Sequence, residues 1–227
     1  MRILINDKEV VFPSSLSEIT LGQRIAFQQQ HGNDLDKMAK SIMEMKEGPL
    51  QDLEVMEFNF EKMFRTFAFF AGTTVEAIKE SKFIDDVASI YYSCLAVLFD
   101  EEAALDYQTE FIWEGETWVL GSAELNQASK KKFAEFVDAK QIVKDLVHLG
   151  QSKWEYMLPL CAIYLRRKDE PYSEDLVYEG SDRQELMKSL PMNIAMQVGF
   201  FLTASMNISM NILKFSGSPE PKAAVSM

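Results

Sequence analysis

The chain has 227 residues, of which 47% are hydrophobic and 26% are charged. This composition is typical of a soluble protein with hydrophobic cores and argues against disorder over most of the chain. The formal net charge is −12 and the pI is about 4.7. Because the phosphates of nucleic acids and the surfaces of anionic membranes attract Lys and Arg, a chain this acidic is not expected to bind either.

The residue types that most often carry chemistry predict neither a metal site nor an active site. Cys94 and Cys161 lie in the apolar runs YYSCLAVLF and MLPLCAIYL, which predicts two buried free thiols. His31 and His148 are far apart and each precedes a glycine by one or two residues, which is typical of a helix end. We therefore expect no catalytic residue, no metal and no cofactor. The N-terminal residues MRILINDKEVVFP contain no long apolar segment, so no signal peptide is expected.

The first half of the chain predicts a β-hairpin followed by helices. RILIN and EVVF flank the turn formers Asn6 and Asp7, so a hairpin is expected near residues 2–12. Thr20 and Gln23 have the spacing of a capping box, and the helix they open is expected to end at Gly32. Four further helices are expected, one of them a short helix at TTVEAIKES. The inward positions of the other three are Leu35, Met38, Ile42 and Met45; Phe60, Phe64, Phe67 and Ala71; and Phe83, Val87, Ile90, Cys94 and Leu98.

The second half repeats the order of hairpin and helices. FIW and WVL flank a turn that contains Gly115, so a second hairpin is expected near residues 109–120. The predicted fold class is mainly α, of the α+β kind, with helical bundle lobes and two short β-hairpins. The weak repeat predicts one lobe at 1–107 and a second at 108–215, and the small, Pro- and Gly-containing residues at 216–227 predict a flexible tail.

An apolar helix is predicted at KWEYMLPLCAIYL, and a basic triplet follows it. Arg166, Arg167 and Lys168 are expected to form the last turn of this helix, where positive charge is favourable against the helix dipole. A small phosphate-binding patch is the alternative. The residues of the helix that are expected to face inward are Trp154, Met157, Cys161 and Tyr164.

Residues 189–213, SLPMNIAMQVGFFLTASMNISMNIL, contain no charge. The length would suffice for a membrane span, but the primary amides in this stretch share one side of a helix and would be costly in hydrocarbon. We expect a helix with its aliphatic side in the core and its Met and amide sides at a subunit or partner interface. A wholly internal core helix and a membrane span are the alternatives. The predicted interface residues are Met192, Asn193, Met196, Gln197, Phe200, Met206, Asn207, Met210 and Asn211.

Four segments resemble, in the same order, segments of small helical proteins encoded in the tail-gene regions of tailed bacteriophages. LSEITLGQRIAF resembles their ltlGqyi opening, and FAFFAGTTVEAI resembles their ltGi…eei step between helices. WEYMLPLCAIYLRRKDEPY resembles their llAilyrp…y segment, and LPMNIAMQVGFFLTAS resembles their closing helix, lp…a…ffl. Such proteins are described as tail-assembly chaperones or as virion proteins of the tail and connector, and the chain is similar to those of crAss-like gut phages.

The resemblance implies a non-enzymatic protein that acts by protein–protein interaction in the tail or head–tail connector, or as a tail-assembly chaperone. Its partners would be other phage virion or tail proteins, or further copies of itself in a homo-oligomer or ring, with no nucleic acid and no membrane. It would be located in the host cytoplasm during assembly or in the virion, neither secreted nor transmembrane. A cellular helical adaptor or regulatory protein is the alternative. An enzyme is disfavoured because the sequence has no P-loop, Rossmann fingerprint or nucleophile elbow.

Overall fold

The computed structural model describes residues 2–5, 8–80, 84–99, 108–120, 130–150, 152–173, 175 and 180–202. Over these residues the protein is mainly helical, with one two-stranded and one three-stranded antiparallel sheet, which confirms the predicted α+β fold class. The predicted tail at 216–227 lies outside the described residues.

Both predicted hairpins are confirmed by the strand pairing. β1 (Arg2–Ile5) pairs antiparallel with β2 (Lys8–Val11). β3 (Glu110–Trp113) pairs antiparallel with β4 (Glu116–Leu120). In the second hairpin, Trp118 is fully buried, so this sheet packs one face into the core.

A third strand corrects the prediction for the basic triplet. The sequence predicts that residues 166–168 end a helix, but α7 (Lys153–Tyr164) stops before them and β5 (Leu165–Arg167) pairs with β4. Leu165 is fully buried, and the backbone N–H of Lys168 donates to the carbonyl of Thr117 at 2.9 Å. The open edge of β4 provides backbone partners that a continued helix would leave unused, because edge strands present unpaired N–H and C=O groups.

The capping box predicted before α1 (Leu21–Phe27) is confirmed. The Thr20 hydroxyl accepts a hydrogen bond from the backbone N–H of Gln23 at 3.1 Å, and the Gln23 side chain accepts one from the backbone N–H of Thr20 at 2.9 Å. The two bonds satisfy N–H groups that the first helical turn leaves without partners.

The helix does not end at Gly32, contrary to the prediction. A π-helical segment (Gln28–Gly32) joins α1 directly to α2 (Asn33–Met43), and Gly32 has helical angles of φ −61° and ψ −46°. A Cβ atom on Gly32 would lie 2.0 Å from Nε2 of Gln28, the end of a flexible side chain that would have to move aside. His31, predicted at a helix end, therefore lies inside a continuous helical run and is only 8% exposed.

The remaining helices of the first half follow a short connection. α3 (Pro49–Ala71) packs against α2, and Gly72 closes it in the left-handed region at φ 63°. α4 (Val75–Lys79) and α5 (Ile84–Ile90) come next.

The long helix predicted after residue 80 is not a regular α-helix. A π-helical segment (Tyr91–Leu95) and a 3₁₀ segment (Ala96–Phe99) continue α5. The predicted inward side is nevertheless confirmed for four residues, because Val87, Ile90, Cys94 and Leu98 are all buried. Phe83, the fifth, lies outside the described residues.

The second half contains α6 (Lys130–His148), α7, α8 (Asp182–Met187) and a closing helix at residues 192–202. His148 ends α6 as predicted, and Gly150 follows it at φ 71°. On α7, three of the four predicted inward side chains are buried and the fourth is half-buried: Trp154, Met157 and Cys161, then Tyr164.

The buried apolar side chains form two clusters. The smaller cluster comes from the first half and includes Phe12, Phe67 and Leu95. The larger cluster comes mostly from the second half, but it also contains Leu16 and Leu21. The boundary between the clusters therefore does not coincide with position 107, and the division into two lobes stays a prediction.

A backbone seam joins the start of α1 to the start of the closing helix. Three hydrogen bonds of 2.8 Å link residues 19–22 with residues 188–192. One of them runs from the N–H of Gly22 to the carbonyl of Lys188. A Cβ atom on Gly22 would lie 2.8 Å from that carbonyl oxygen, so glycine is what allows the two backbones to approach.

Candidate interaction surface

The closing helix contributes mainly to the core of the chain itself. Met192 is fully buried and Gln197 is 6% exposed, so the predicted partner-facing position is corrected for these two residues. Oε1 of Gln197 accepts a hydrogen bond from the backbone N–H of Gln108 at 2.7 Å. One of the primary amides on this side of the helix therefore forms a hydrogen bond within the chain itself, as buried polar groups generally require.

The other predicted interface residues differ in exposure. Asn193 and Met196 are half-buried, and Phe200 is 62% exposed. Their spacing of three and four residues places them on one side of the closing helix, so this side reaches the surface. The remaining predicted residues lie outside the described ranges: Met206, Asn207, Met210 and Asn211.

A larger apolar surface lies on the N-terminal part of α3 and includes Phe60, which the sequence predicts to be core. Leu50, Leu53, Met56 and Phe60 are 63%, 62%, 56% and 49% exposed, respectively. Successive members are three or four residues apart and so share one side of the helix. We call these four residues the α3 outer face. The prediction that Phe60 is a core residue is wrong.

The same side of α3 is covered further along the helix. Met63 and Phe67 are 1% and 3% exposed, and the Phe67 ring centroid lies 4.8 Å from that of Phe12. At the border, the rings of Phe60 and Phe64 stack with centroids 6.3 Å apart. The apolar side of α3 is therefore continuous, but the N-terminal part of the helix extends beyond the elements that bury the C-terminal part.

α2 packs on the opposite side of α3. Nε2 of Gln51 donates to the carbonyl of Ile42 at 3.1 Å, and Nη1 of Arg65 donates to Asp34 at 3.2 Å. At about 100° per residue, Gln51 and Arg65 project roughly opposite to the α3 outer face. α2 therefore packs against one side of α3, and the outer face on the other side is exposed to solvent.

Carboxylates border the α3 outer face on both sides. Asp52 precedes Leu53 by one residue and Glu57 follows Met56 by one residue, so each lies about 100° around the helix from its apolar neighbour. Both are exposed, and neither takes part in an ion pair within the described residues. Residues 44–61 contain six carboxylates and one lysine, so this segment carries more negative than positive charge.

Glu61 lies next to this border, but its charge is compensated. Nε of Arg65 lies 3.2 Å from its carboxylate, and Lys79 forms a second ion pair with it. Burial would raise the pKa of Glu61, but the hydrogen bonds from Lys79 and Arg65 outweigh burial and hold the pKa below its usual value. Glu61 therefore fixes α4 to α3 and leaves Asp52 and Glu57 as the negative border.

Groups suited to other chemistry are dispersed through the described part of the chain. Within it, no three His, Cys, Asp or Glu side chains are arranged to hold a metal ion. Cys94 and Cys161 are free and buried, as predicted, and burial raises the pKa of the Cys161 thiol. Across the same residues, every helix is too short or too polar to cross a bilayer.

Comparison with known proteins gave no match. No family model matches the chain, and neither a similar curated protein nor a similar solved structure was found.

Proposed function

We propose that the chain is a non-enzymatic structural or assembly protein of a tailed bacteriophage. It binds other virion or tail proteins in the tail or head–tail connector, or acts as a tail-assembly chaperone, in the host cytoplasm during assembly or in the virion. The observation that carries the proposal is the α3 outer face, a row of four exposed apolar side chains. α2 packs against the opposite side of the same helix. Contiguous exposed apolar patches are typical of protein–protein interaction sites.

Two further features support a role in binding proteins. Met43 at the end of α2 is a second strongly exposed methionine, at 81%. Methionine is flexible and polarizable, so Met43 and Met56 can adapt to the shape of a partner. The order of the four segments that resemble phage tail-region proteins supports the phage context.

The test is capture of virion proteins from the same genome by the full-length chain. Portal, capsid, tail-tube and tape-measure proteins are passed separately over the immobilised chain in detergent-free buffer. The matched variants are Leu53→Ser with Phe60→Ser on the outer face, and Ile112→Ser with Val147→Ser at exposed positions elsewhere. We expect one virion protein to be captured, and capture to be lost only with the outer-face pair.

The same preparation separates the two modes of action. Light scattering that gives a discrete ring-sized mass indicates a permanent structural subunit, whereas a monomer indicates a chaperone. If none of the virion proteins is captured and the neighbouring genes encode cellular proteins, the chain is a cellular adaptor and the phage proposal is refuted.

A further inference from the structure

We infer that the α3 outer face binds an amphipathic helical segment of a partner protein whose apolar side is flanked by Lys or Arg. This inference rests on the proposed function, since it gives the chemistry of the partner that the proposed function requires. Three observations carry it: the geometry of the exposed row, the carboxylates beside it, and the overall negative charge of the chain.

The geometry of the exposed row favours a helix as the occupant. From Leu50 to Phe60 the row extends over about 15 Å at 1.5 Å per residue, which matches about three turns of a second helix. A helix satisfies its backbone N–H and C=O groups internally, so it can lie on apolar side chains without leaving polar groups unpaired. An extended segment would need backbone partners, and the outer face consists of Leu, Met and Phe side chains.

The carboxylates select the charge of that helix. Asp52 lies on one border of the row and Glu57 on the other, and both are exposed. A helix that places its apolar side on the row brings its own flanking positions next to these two carboxylates. Lys or Arg at those positions would form ion pairs, whereas Asp or Glu would face like charge.

The same charges argue against a second copy of this chain. Packing two outer faces together would place Asp52 and Glu57 of one copy near those of the other. Each copy also carries a formal net charge of −12, so the approach is opposed over a longer distance. A different chain with positive flanks meets neither form of repulsion.

The experiment measures binding of synthetic peptides to the full-length protein by fluorescence anisotropy. The probe is a fluorescein-labelled helical peptide of roughly 18 residues, with Leu along one side and Lys at the flanking positions. The matched probe has Glu in place of every Lys. Both are titrated at about 50 mM and about 500 mM salt, because screening reduces interactions between exposed charges.

Two double variants isolate the carboxylates. Asp52→Asn with Glu57→Gln neutralises the border at nearly constant shape, and Glu76→Gln with Glu80→Gln removes the same charge from exposed positions on and just after α4. We expect the Lys peptide to bind more than about tenfold tighter than the Glu peptide at low salt. The border variant should weaken its binding by about fivefold and the α4 variant by less than about twofold.

Several results would overturn the inference. These are equal affinities for the two peptides, no binding of the Lys peptide, or equal weakening by the border and α4 variants. A separate failure of the proposed function remains distinguishable. If a virion protein is captured equally by the wild type and by the Leu53→Ser, Phe60→Ser variant, the inference fails and the function stands. If the Lys peptide binds the outer face, no virion protein is captured and the neighbouring genes encode cellular proteins, the phage role fails and the inference stands.

Discussion

The closing helix and α3 each depart in part from what their sequences predict. The closing helix lies in a stretch without charge that is predicted to form an interface, yet Met192 and Gln197 are buried in the chain's own core. α3 carries charges between residues 52 and 65 and its aromatic stripe is predicted to be core, yet Phe60 of that stripe is exposed together with the other three residues of the outer face. The comparison shows that an uncharged helix can bury residues on more than one side in its own core, although Phe200 on one side is exposed. A helix with charged flanks can leave one apolar side exposed, because its other sides keep it hydrated.

The largest difference in stability is expected within α3 itself, between variants of the buried Phe67 and of the exposed Phe60. Phe67→Ala should lower the free energy of unfolding by about 4 kcal/mol, because it opens a cavity beside Phe12. Phe60→Ala, on the exposed part of the same stripe, should lower it by about 1 kcal/mol or less. Urea unfolding followed by circular dichroism measures both. Equal losses would mean that the outer face is covered in solution.

The same comparison can be made with methionine in two places. Met192→Ala should cost about 3 kcal/mol, because the side chain is fully buried at the start of the closing helix. Met43→Ala is the matched control, since Met43 is 81% exposed, and its effect should stay within about 0.5 kcal/mol. If Met192→Ala leaves the free energy of unfolding in urea unchanged, Met192 is not packed in the core, and its predicted place at an interface would be supported.

The seam between α1 and the closing helix makes a smaller, backbone-level prediction. Gly22→Ala should destabilise by about 2 kcal/mol, because the new Cβ would press on the carbonyl of Lys188 and force the two backbones apart. Gly199→Ala is the control: its Cβ would make an ordinary 3.5 Å contact with Met157, so the greater helix propensity of Ala should leave stability unchanged or higher. Thermal unfolding of the two variants measures both changes in stability. If Gly22→Ala is as stable as the wild type, close approach is not what requires glycine there.

The smallest effect should come from His31 on changing pH. Burial, followed by the nearby positive charge of Arg65, lowers the pKa of His31 below its ordinary 6.5, while Asp34 opposes this. The unfolded chain therefore binds a proton more readily than the folded chain, and the contribution of His31 to stability is lost as pH falls below 6.5. Urea midpoints at about pH 7.5 and pH 5.5 should differ more for the wild type than for His31→Gln, because the carboxylates titrate in both proteins. An equal difference in the two proteins would show that His31 is not coupled to folding.

Much of the fold could be predicted because its signals are local. The Thr20 and Gln23 capping box and the two hairpins depend on residues close together in the chain, and all three are confirmed. The π-helical continuation through Gly32 could not be predicted, because a glycine that follows a helical segment is a common helix end. β5 cannot be predicted for a different reason: its partner β4 lies far away in sequence and supplies the edge with which residues 165–167 pair as a strand.

The interaction surface was predictable only in part. Helical spacing correctly grouped Phe60, Phe64 and Phe67 on one side of α3, but spacing does not show where the covering elements stop. Along the closing helix, spacing correctly placed Phe200 on an exposed side. The sequence predicts that the amide of Gln197 faces another chain, because its actual partner, the backbone N–H of Gln108, lies 89 residues away. In both helices, exposure depends on tertiary contacts with residues distant in sequence, which helical spacing does not reveal.

The backbone seam also has a consequence for synthesis on the ribosome. Residues 19–22 emerge about 170 residues before the segment at 188–192 that completes their hydrogen bonds. At translation rates of about 5–20 residues per second, the segment at 188–192 is synthesised roughly 10–30 s after the start of α1. During this interval Leu16 and Leu21 lack the second-half residues that cover them in the finished core. A chain interrupted before residue 188 would therefore keep these apolar side chains uncovered, and its first half would be prone to aggregation and degradation.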